Sequence, residues 1–215
     1  MKNKNLMFNT LSQFSGKDLD ELLNQYSLPL RNHSRRVALC ASTMAEYADD
    51  YMHTYSLPRD MSFLITVHLG GMCHDIGKLT LPSLMADESS LFNHPITGAD
   101  LLGAHAQTLF DNQSQADIVL EMVRYHHERP DGTGFPYGLW AKDIPFAAGL
   151  CSIANWVDNR VCSEAQKEDG ETIATTFEKV IAESGKQFCE SAVTCFVKAR
   201  NRLMEQYLKW SRSDF

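Results

Sequence analysis

Eight histidines are spread along a chain of 215 residues, at positions 33, 53, 68, 74, 94, 105, 126 and 127. At two places the company they keep matters more than their number. His74-Asp75 follows an apolar run and precedes Gly77-Lys78. That adjacency lets an imidazole and a carboxylate point at one cation, and a carboxylate can bridge two metals where an imidazole cannot. His126-His127 ends a second periodic segment directly before a glycine-rich turn. Two side chains leaving one helix end can converge on a single ion. Imidazole and carboxylate donors without thiolate suit iron, manganese or zinc and argue against iron–sulfur or soft-metal sites. Asp158, in Ala154-Asn-Trp-Val-Asp158-Asn-Arg160, is an acid within an apolar helix and needs a partner if buried. Lone histidines are more often surface or satisfied core residues. His53 and His105 take that reading, and His68, one helix face from His74, is placed at the pocket edge.

Read in order, the chain contains His33-x-x-Arg36-Val37, His74-Asp75-Ile-Gly-Lys78, His94-Pro-x-x-Gly98, His126-His127-Glu128-x-x-Asp131-Gly132-x-Gly134-Phe135-Pro136-x-Gly138, and then Asp158. A bare His-Asp pair is weak, but this ordered set is specific. It resembles the HD-GYP domain, a branch of the HD metal-dependent phosphohydrolases similar to cyclic di-GMP phosphodiesterases. The likeness covers about residues 31–160.

The resemblance implies an all-α, HD-superfamily helical bundle with added C-terminal helices. It also implies a binuclear site. His33, His74, Asp75 and Asp158 hold one divalent metal; Asp75 bridges to a second, held by His94, His126 and His127. Iron or manganese fits best, with zinc or nickel as further options. The implied reaction is hydrolysis of a cyclic dinucleotide, cyclic di-GMP foremost, to a linear dinucleotide by attack of a bridging hydroxide. Asp75 and Lys78 are the catalytic residues, with Lys78 and Arg160 on the substrate phosphate. Glu128 and Asp131 are assigned to orienting the ligating imidazoles, with turn capping by Asp131 as the alternative. Gly132, Gly134, Phe135 and Pro136 form the signature loop, a candidate contact for a separate signalling partner.

The departures bear on recognition. Phe135 stands where the signature has tyrosine, keeping the ring and losing the hydroxyl. The stretch from His74 to His94 is shorter than usual, implying a trimmed lid. Family members continue after the metal Asp with an Arg-Pro-Tyr run, whereas this chain has Glu164 at the Arg position, which repels phosphate. Pro29 stands where some members carry a Glu for a third metal, so two metals are expected. A catalytically weak nucleotide receptor and a phosphohydrolase of another ester are the competing readings.

Helical spacing of apolar residues dominates the chain, with little alternation of the strand type. Helices are expected over 18–26, closed by Pro29, then over 33–55, and over 61–74 with Asp60 as cap. A connector follows over 79–93, then helices over 94–110 and 114–127, the last opened by a capping-box-like Ser114-Gln-Ala-Asp117. Residues 129–137 read as a turn. A helix capped by Asp143 is expected over 144–162, a polar linker over 163–171, and helices over 172–183 and 186–210. Phe188, Ala192, Phe196, Ala199, Leu203 and Tyr207 make an inward stripe on the last one, a core face or a homodimer seam. Trp140 and Trp156 read as core, Trp156 bordering the site. The chain divides into an N-terminal helical segment (1–30), a metal phosphohydrolase core (31–162) and C-terminal helices packing on it (163–215).

Composition excludes several classes. Twenty basic against 27 acidic residues give −7, which argues against duplex DNA or RNA and against anionic membranes, while leaving room for a local phosphate pocket. No stretch approaches the roughly 20 apolar residues of a membrane span, and Asn9, Ser12 and Gln13 interrupt any signal-peptide core. Six cysteines without a C-x-x-C pair read as reduced core residues, as in a cytoplasmic protein.

Overall fold

The computed structural model describes residues 18–48, 61–80, 88–162 and 172–210. Their helices are α1 (Leu19–Leu23), α2 (Leu28–Ala45), α3 (Met61–Cys73), α4 (Glu88–Gly103), α5 (Ala106–Leu109), α6 (Gln113–Tyr125), α7 (Phe146–Cys162), α8 (Ile173–Ala182) and α9 (Glu190–Trp210). Short 3-10 turns run over Ile76–Thr80 and Ala141–Asp143. Among the described residues there is no strand, only isolated bridges at Asp131–Trp140 and Ser184–Phe188. The fold is all-α, and no described helix is long and apolar enough to cross a membrane.

Side chains at the helix starts explain where several begin. Asp18 accepts from the Glu21 N–H, Ser27 from Leu30, Asn112 from Gln115, and Thr172 forms a capping box with Thr175. The cap of α6 is therefore Asn112, two residues before the expected Ser114. Pro29 does not close α1. It sits in the first turn of α2, where its missing N–H costs nothing, so α2 starts earlier than His33. α2 ends at Ala45; the rest of its expected span, with His53, runs into residues 49–60, outside the described residues, as does Asp60, the expected cap of the next helix. α7 opens after Pro145, whose carbonyl accepts from the Gly149 N–H, and Asp143 lies in the preceding 3-10 turn instead of capping it. α9 starts at Glu190, because Lys186–Cys189 are held in a turn by the Gly185 N–H to Phe188 carbonyl bond.

The largest correction concerns the stretch before His94. The expected connector is partly helix: α4 starts at Glu88 and carries His94-Pro95 in its interior, then ends at Gly103. Residues 81–87 and the expected linker 163–171, with Glu164, lie outside the described residues.

Two apolar clusters form the core. One gathers α2, α3 and α6–α9 around Val37, Met44, Leu150, Phe177 and Phe196; the other gathers α1, α4, α5, the 3-10 turn and the other sides of α3 and α6 around Leu22, Ile76, Leu102 and Val123. α3 and α6 contribute to both clusters. The inward stripe of α9 is buried within this core, so a dimer through that helix would have to use its outer side, where Val197 and Leu208 are exposed. Cys189 and Cys162 are only partly buried, the other cysteines fully so, and all six are free. Trp140, expected in the core, is 63% exposed.

The turn after His74-Asp75 is pressed onto α4 at Gly77. A Cβ there would lie 2.0 Å from the His94 carbonyl oxygen and 2.8 Å from the Gly98 N. Backbone cannot yield as a side-chain tip can, so Gly77→Ala pushes the turn off α4. The expected cost is about 1–3 kcal/mol or more, read as a lowered midpoint in thermal unfolding; an unchanged midpoint would show that this close approach is not a constraint.

Candidate metal centre

Five elements deliver the candidate ligands to one place. His33 comes from α2, and His74-Asp75 follow the last residue of α3. His94 comes from inside α4, His126-His127 from the end of α6, and Asp158 from the middle of α7. His74, Asp75, His94, His126 and Asp158 are all buried. The Asp75 carboxylate is the centre. Its Oδ2 lies 3.3 Å from His74 Nε2, 3.7 Å from His33 Nε2 and 2.6 Å from Lys78 Nζ. Its Oδ1 lies 3.1 Å from His94 Nε2 and 3.9 Å from His126 Nε2. One oxygen thus faces the His33–His74 side and the other the His94–His126 side. His127 completes the second side: the ligand atoms of His94, His126 and His127 lie within 4.8 Å of one another, as do those of His33, His74 and Asp75.

The imidazoles are aimed by their other nitrogens. His74 Nδ1 donates to the Gly71 carbonyl at 2.8 Å, and His126 Nδ1 to the Val123 carbonyl at 2.9 Å. His33 Nδ1 is 2.7 Å from Asp158 Oδ2. Each Nδ1 contact directs the Nε2 lone pair inward, as in metal-binding histidines generally. The cluster fits divalent cations on two further grounds. His74 Nε2 and Asp75 Oδ1 are buried polar atoms whose close neighbours, Asp75 Oδ2 at 3.3 Å and His94 Nε2 at 3.1 Å, make no well-formed hydrogen bond with them, an arrangement that a bound cation would satisfy. The protonation states also suit. Burial would raise Asp75, yet the His74 and His94 imidazoles and the Lys78 ammonium hold it well below the usual carboxylate range. Burial and the neighbouring His127 push His126 well down, and burial with His94 pushes His127 down to about 3. Both are neutral donors at neutral pH, the form that binds metal.

Asp158 joins this cluster through His33, but Arg36 also holds it. Arg36 Nε is 2.7 Å from Oδ1 and its terminal nitrogen 3.0 Å from Oδ2, a two-pronged ion pair. Burial opposes its ionisation, but the hydrogen bonds from His33 and Arg36 hold Asp158 below its ordinary value. Arg36 is the residue that sequence reasoning passed over: it stood in the motif without a role. The signal was available, since position i+3 from His33 shares its helix face.

Glu128 and Asp131 act on the loop and not on the imidazoles. Glu128 accepts from the Tyr137 and Leu139 N–H groups at 2.7 and 2.8 Å. Asp131 accepts from Thr133 and pairs with Arg129, the turn-capping alternative. Gly132 turns the chain at φ +74° under the Trp140 ring, and Phe135-Pro136 is a cis peptide. Gly134 packs against residues 128–129, where a Cβ would lie 2.3 Å from the Arg129 N. The loop so folded stacks Phe135 on His127, ring centroids 4.5 Å apart, with Phe92 of α4 edge-on behind it at 4.8 Å. Phe92 fell in the expected connector, and nothing in its sequence context marked it. His68, near Ser42 Oγ at 3.5 Å, belongs to a separate small cleft with Arg35 and Arg36, and His105 precedes α5. Arg160 lies over the Trp156 ring, 4.5 Å from its centroid, and both line an open cleft of about 400 Å³ that reaches His126 and His127.

The chain is similar to several known proteins. A relative named "Cyclic di-GMP phosphodiesterase PA4108", from Pseudomonas aeruginosa, is 30% identical over 135 residues, 61% of this chain and 32% of its own. A cyclic di-GMP phosphodiesterase of Thermotoga maritima is 24% identical over 207 residues, 90% of this chain and 52% of its own. A "3'3'-cGAMP-specific phosphodiesterase 2" of Vibrio cholerae is 25% identical over 177 residues, 78% and 32% of the two chains. The chain therefore spans between about a third and about a half of these relatives. Among solved structures, Bd1817, a "HDG"Y"P protein" from Bdellovibrio bacteriovorus, shares the fold with a TM-score of 0.58 at 23% identity, covering 82% of this chain and 52% of that one. The HD domain family model matches residues 30–160, which run from just before His33 to just past Asp158. On that match the chain belongs to the HD domain family, and its likeness extends to members of the HD-GYP type.

Proposed function

We propose that the chain is a binuclear metal-dependent phosphodiesterase that hydrolyses a cyclic dinucleotide, cyclic di-GMP foremost, to the linear dinucleotide. One observation carries the reading: the two oxygens of a single buried carboxylate, Asp75, face two separate histidine groups. A site for one cation needs no such division. His33, His74 and Asp75 would hold one divalent ion, with Asp158 on its flank, and His94, His126 and His127 the other, with Asp75 between them. Iron or manganese suits this donor set best. Such ions supply Lewis acidity to the phosphodiester and to an attacking water. The names of the relatives, cyclic di-GMP and 3'3'-cGAMP phosphodiesterases, support the substrate class.

The chain's own side chains set the rest. Lys78, part-exposed beside Asp75, presents an ammonium where a phosphate oxygen gathers charge. Phe135 closes one side of His127 against water. Arg160 adds a second cation at the open side.

Asp75→Asn keeps the shape of the side chain and removes its charge. Metal content per chain, counted by elemental analysis after loading with Mn(II), should fall from two to below one, with hydrolysis of cyclic di-GMP lost. Two metals retained with unchanged turnover would sink the proposal. Lys78→Met should behave differently. It leaves the ligands in place, so metal content holds while kcat falls about 10²–10³-fold, the scale of one removed charge-stabilising donor. Loss of metal in this variant would assign Lys78 to the metal site instead. Chelation of the wild-type protein should abolish turnover and lower the melting temperature, since a bound ion at 100 times its Kd stabilises by about 2.7 kcal/mol. Re-addition of Mn(II) should restore both, and turnover that survives chelation would exclude metal dependence.

A further inference from the structure

The cleft beside the histidines has a wall that the metal chemistry does not use. Its volume of about 400 Å³ falls within the range of about 300–1,000 Å³ typical of small-molecule sites. His126, His127 and Phe135 line one side, and the other side is α7, through Asn155, Trp156, Asn159 and Arg160. These four recur at helical spacing and so share a face. Asp158 points elsewhere, to His33 and Arg36.

What that face offers is a plane and a hydrogen-bonding edge. The Trp156 indole is steadied by the buried Phe188, edge-on at 5.4 Å, and covered by the Arg160 guanidinium at 4.5 Å. An indole and a guanidinium are the surfaces on which nucleobases stack. Next to them Asn159 Nδ2 donates to Asn155 Oδ1 at 2.8 Å. That bond leaves Asn155 its amide N–H donors and Asn159 its carbonyl acceptor with one further N–H. A donor beside an acceptor complements a base edge, which presents the same two in reverse. Sugar and phosphate need neither a flat surface nor this pairing. Charge agrees as well. Arg160 lines the cleft, as does Arg129, which is paired with Asp131, and among the described residues the one carboxylate lining it, Glu128, is engaged by the Tyr137 and Leu139 N–H groups.

We infer that the α7 face of this cleft is a nucleobase subsite: one base of the substrate stacks at Trp156–Arg160 with its edge toward Asn155 and Asn159. The inference rests on the phosphodiesterase reading only in placing the phosphate toward the histidines. It assigns base recognition to side chains that the metal site does not contain.

The test compares GMP with ribose 5-phosphate, which carries the phosphate and sugar but no base, by calorimetry on the Mn(II)-loaded protein. GMP should bind about tenfold or more tightly than ribose 5-phosphate, the scale of one stacked base. Trp156→Leu should remove most of that preference. Asn159→Ala, at an exposed position, should reduce it and serves as the check if the tryptophan variant folds poorly. Equal or undetectable binding of the two probes by the wild-type protein, or a preference that survives both substitutions, would overturn the inference. The two readings fail separately. A base preference in a protein that leaves cyclic di-GMP intact keeps the subsite and removes the phosphodiesterase, and turnover without base preference does the reverse.

Discussion

A carboxylate buried in the middle of a helical bundle is the constraint around which this molecule is arranged. Asp75 is fully buried and ionised, and an isolated buried charge of that kind costs several kcal/mol. Its compensation comes from near and far in sequence: the neighbouring His74 and Lys78 and the distant His33, His94 and His126 all approach its two oxygens. Four helices and a 3-10 turn must therefore meet at one point. That requirement explains local features that would otherwise be liabilities. α3 is apolar on nearly every side because it is packed between α2, α6 and α7 on its way to that point. Gly77 leaves the turn bearing Lys78 close enough to α4 for His94 to reach Asp75.

Two of the ligands also solve a problem of helix termination. The last carbonyls of a helix have no partner within it. His74 stands just past the end of α3 and takes up the carbonyl of Gly71, three residues back. His126 does the same for Val123 at the end of α6. In both cases the capping bond fixes the tautomer and leaves Nε2 turned to Asp75. Helix end and candidate metal ligand are one residue, so the orientation of the donor does not depend on a separate supporting side chain. His33, in the interior of α2, lacks such a free carbonyl. Its Nδ1 is instead held by Asp158, which Arg36 holds in turn.

This difference accounts for what could be read from the residues alone. His74-Asp75 and His126-His127 were legible because adjacency in sequence and position at a helix end are both local. The all-α class was legible from periodicity, and the α9 stripe from its spacing. Arg36 was harder, since its meaning lies in a contact across 122 positions. Glu128 was read as a support for imidazoles because it follows His127, whereas its partners are backbone N–H groups nine and eleven residues on. Only the folded loop puts them there. The start of α4 was misplaced because Pro, Ser and Asp residues over 79–93 give that stretch the composition of a connector, whereas the helix begins at Glu88. Phe92, which supports Phe135 and through it His127, was lost with that helix.

α7 joins the two halves of the site. Asp158 belongs to the side held by His33 and Arg36, while Asn155, Trp156, Asn159 and Arg160, within three residues of it, face the other way and line the cleft. The first side carries requirements of charge: a carboxylate must sit where two cationic or donor groups converge, and few residues can replace it. The second side carries requirements of shape and hydrogen bonding, which many residues can meet. The Arg36–Asp158 ion pair ties α7 to α2 below the cleft. On the proposed reading, a change in these cleft-lining residues, of which Asn159 is exposed, alters what is recognised without moving the carboxylate. On the proposed reading, metal chemistry and substrate choice are separable because one helix presents them on different faces.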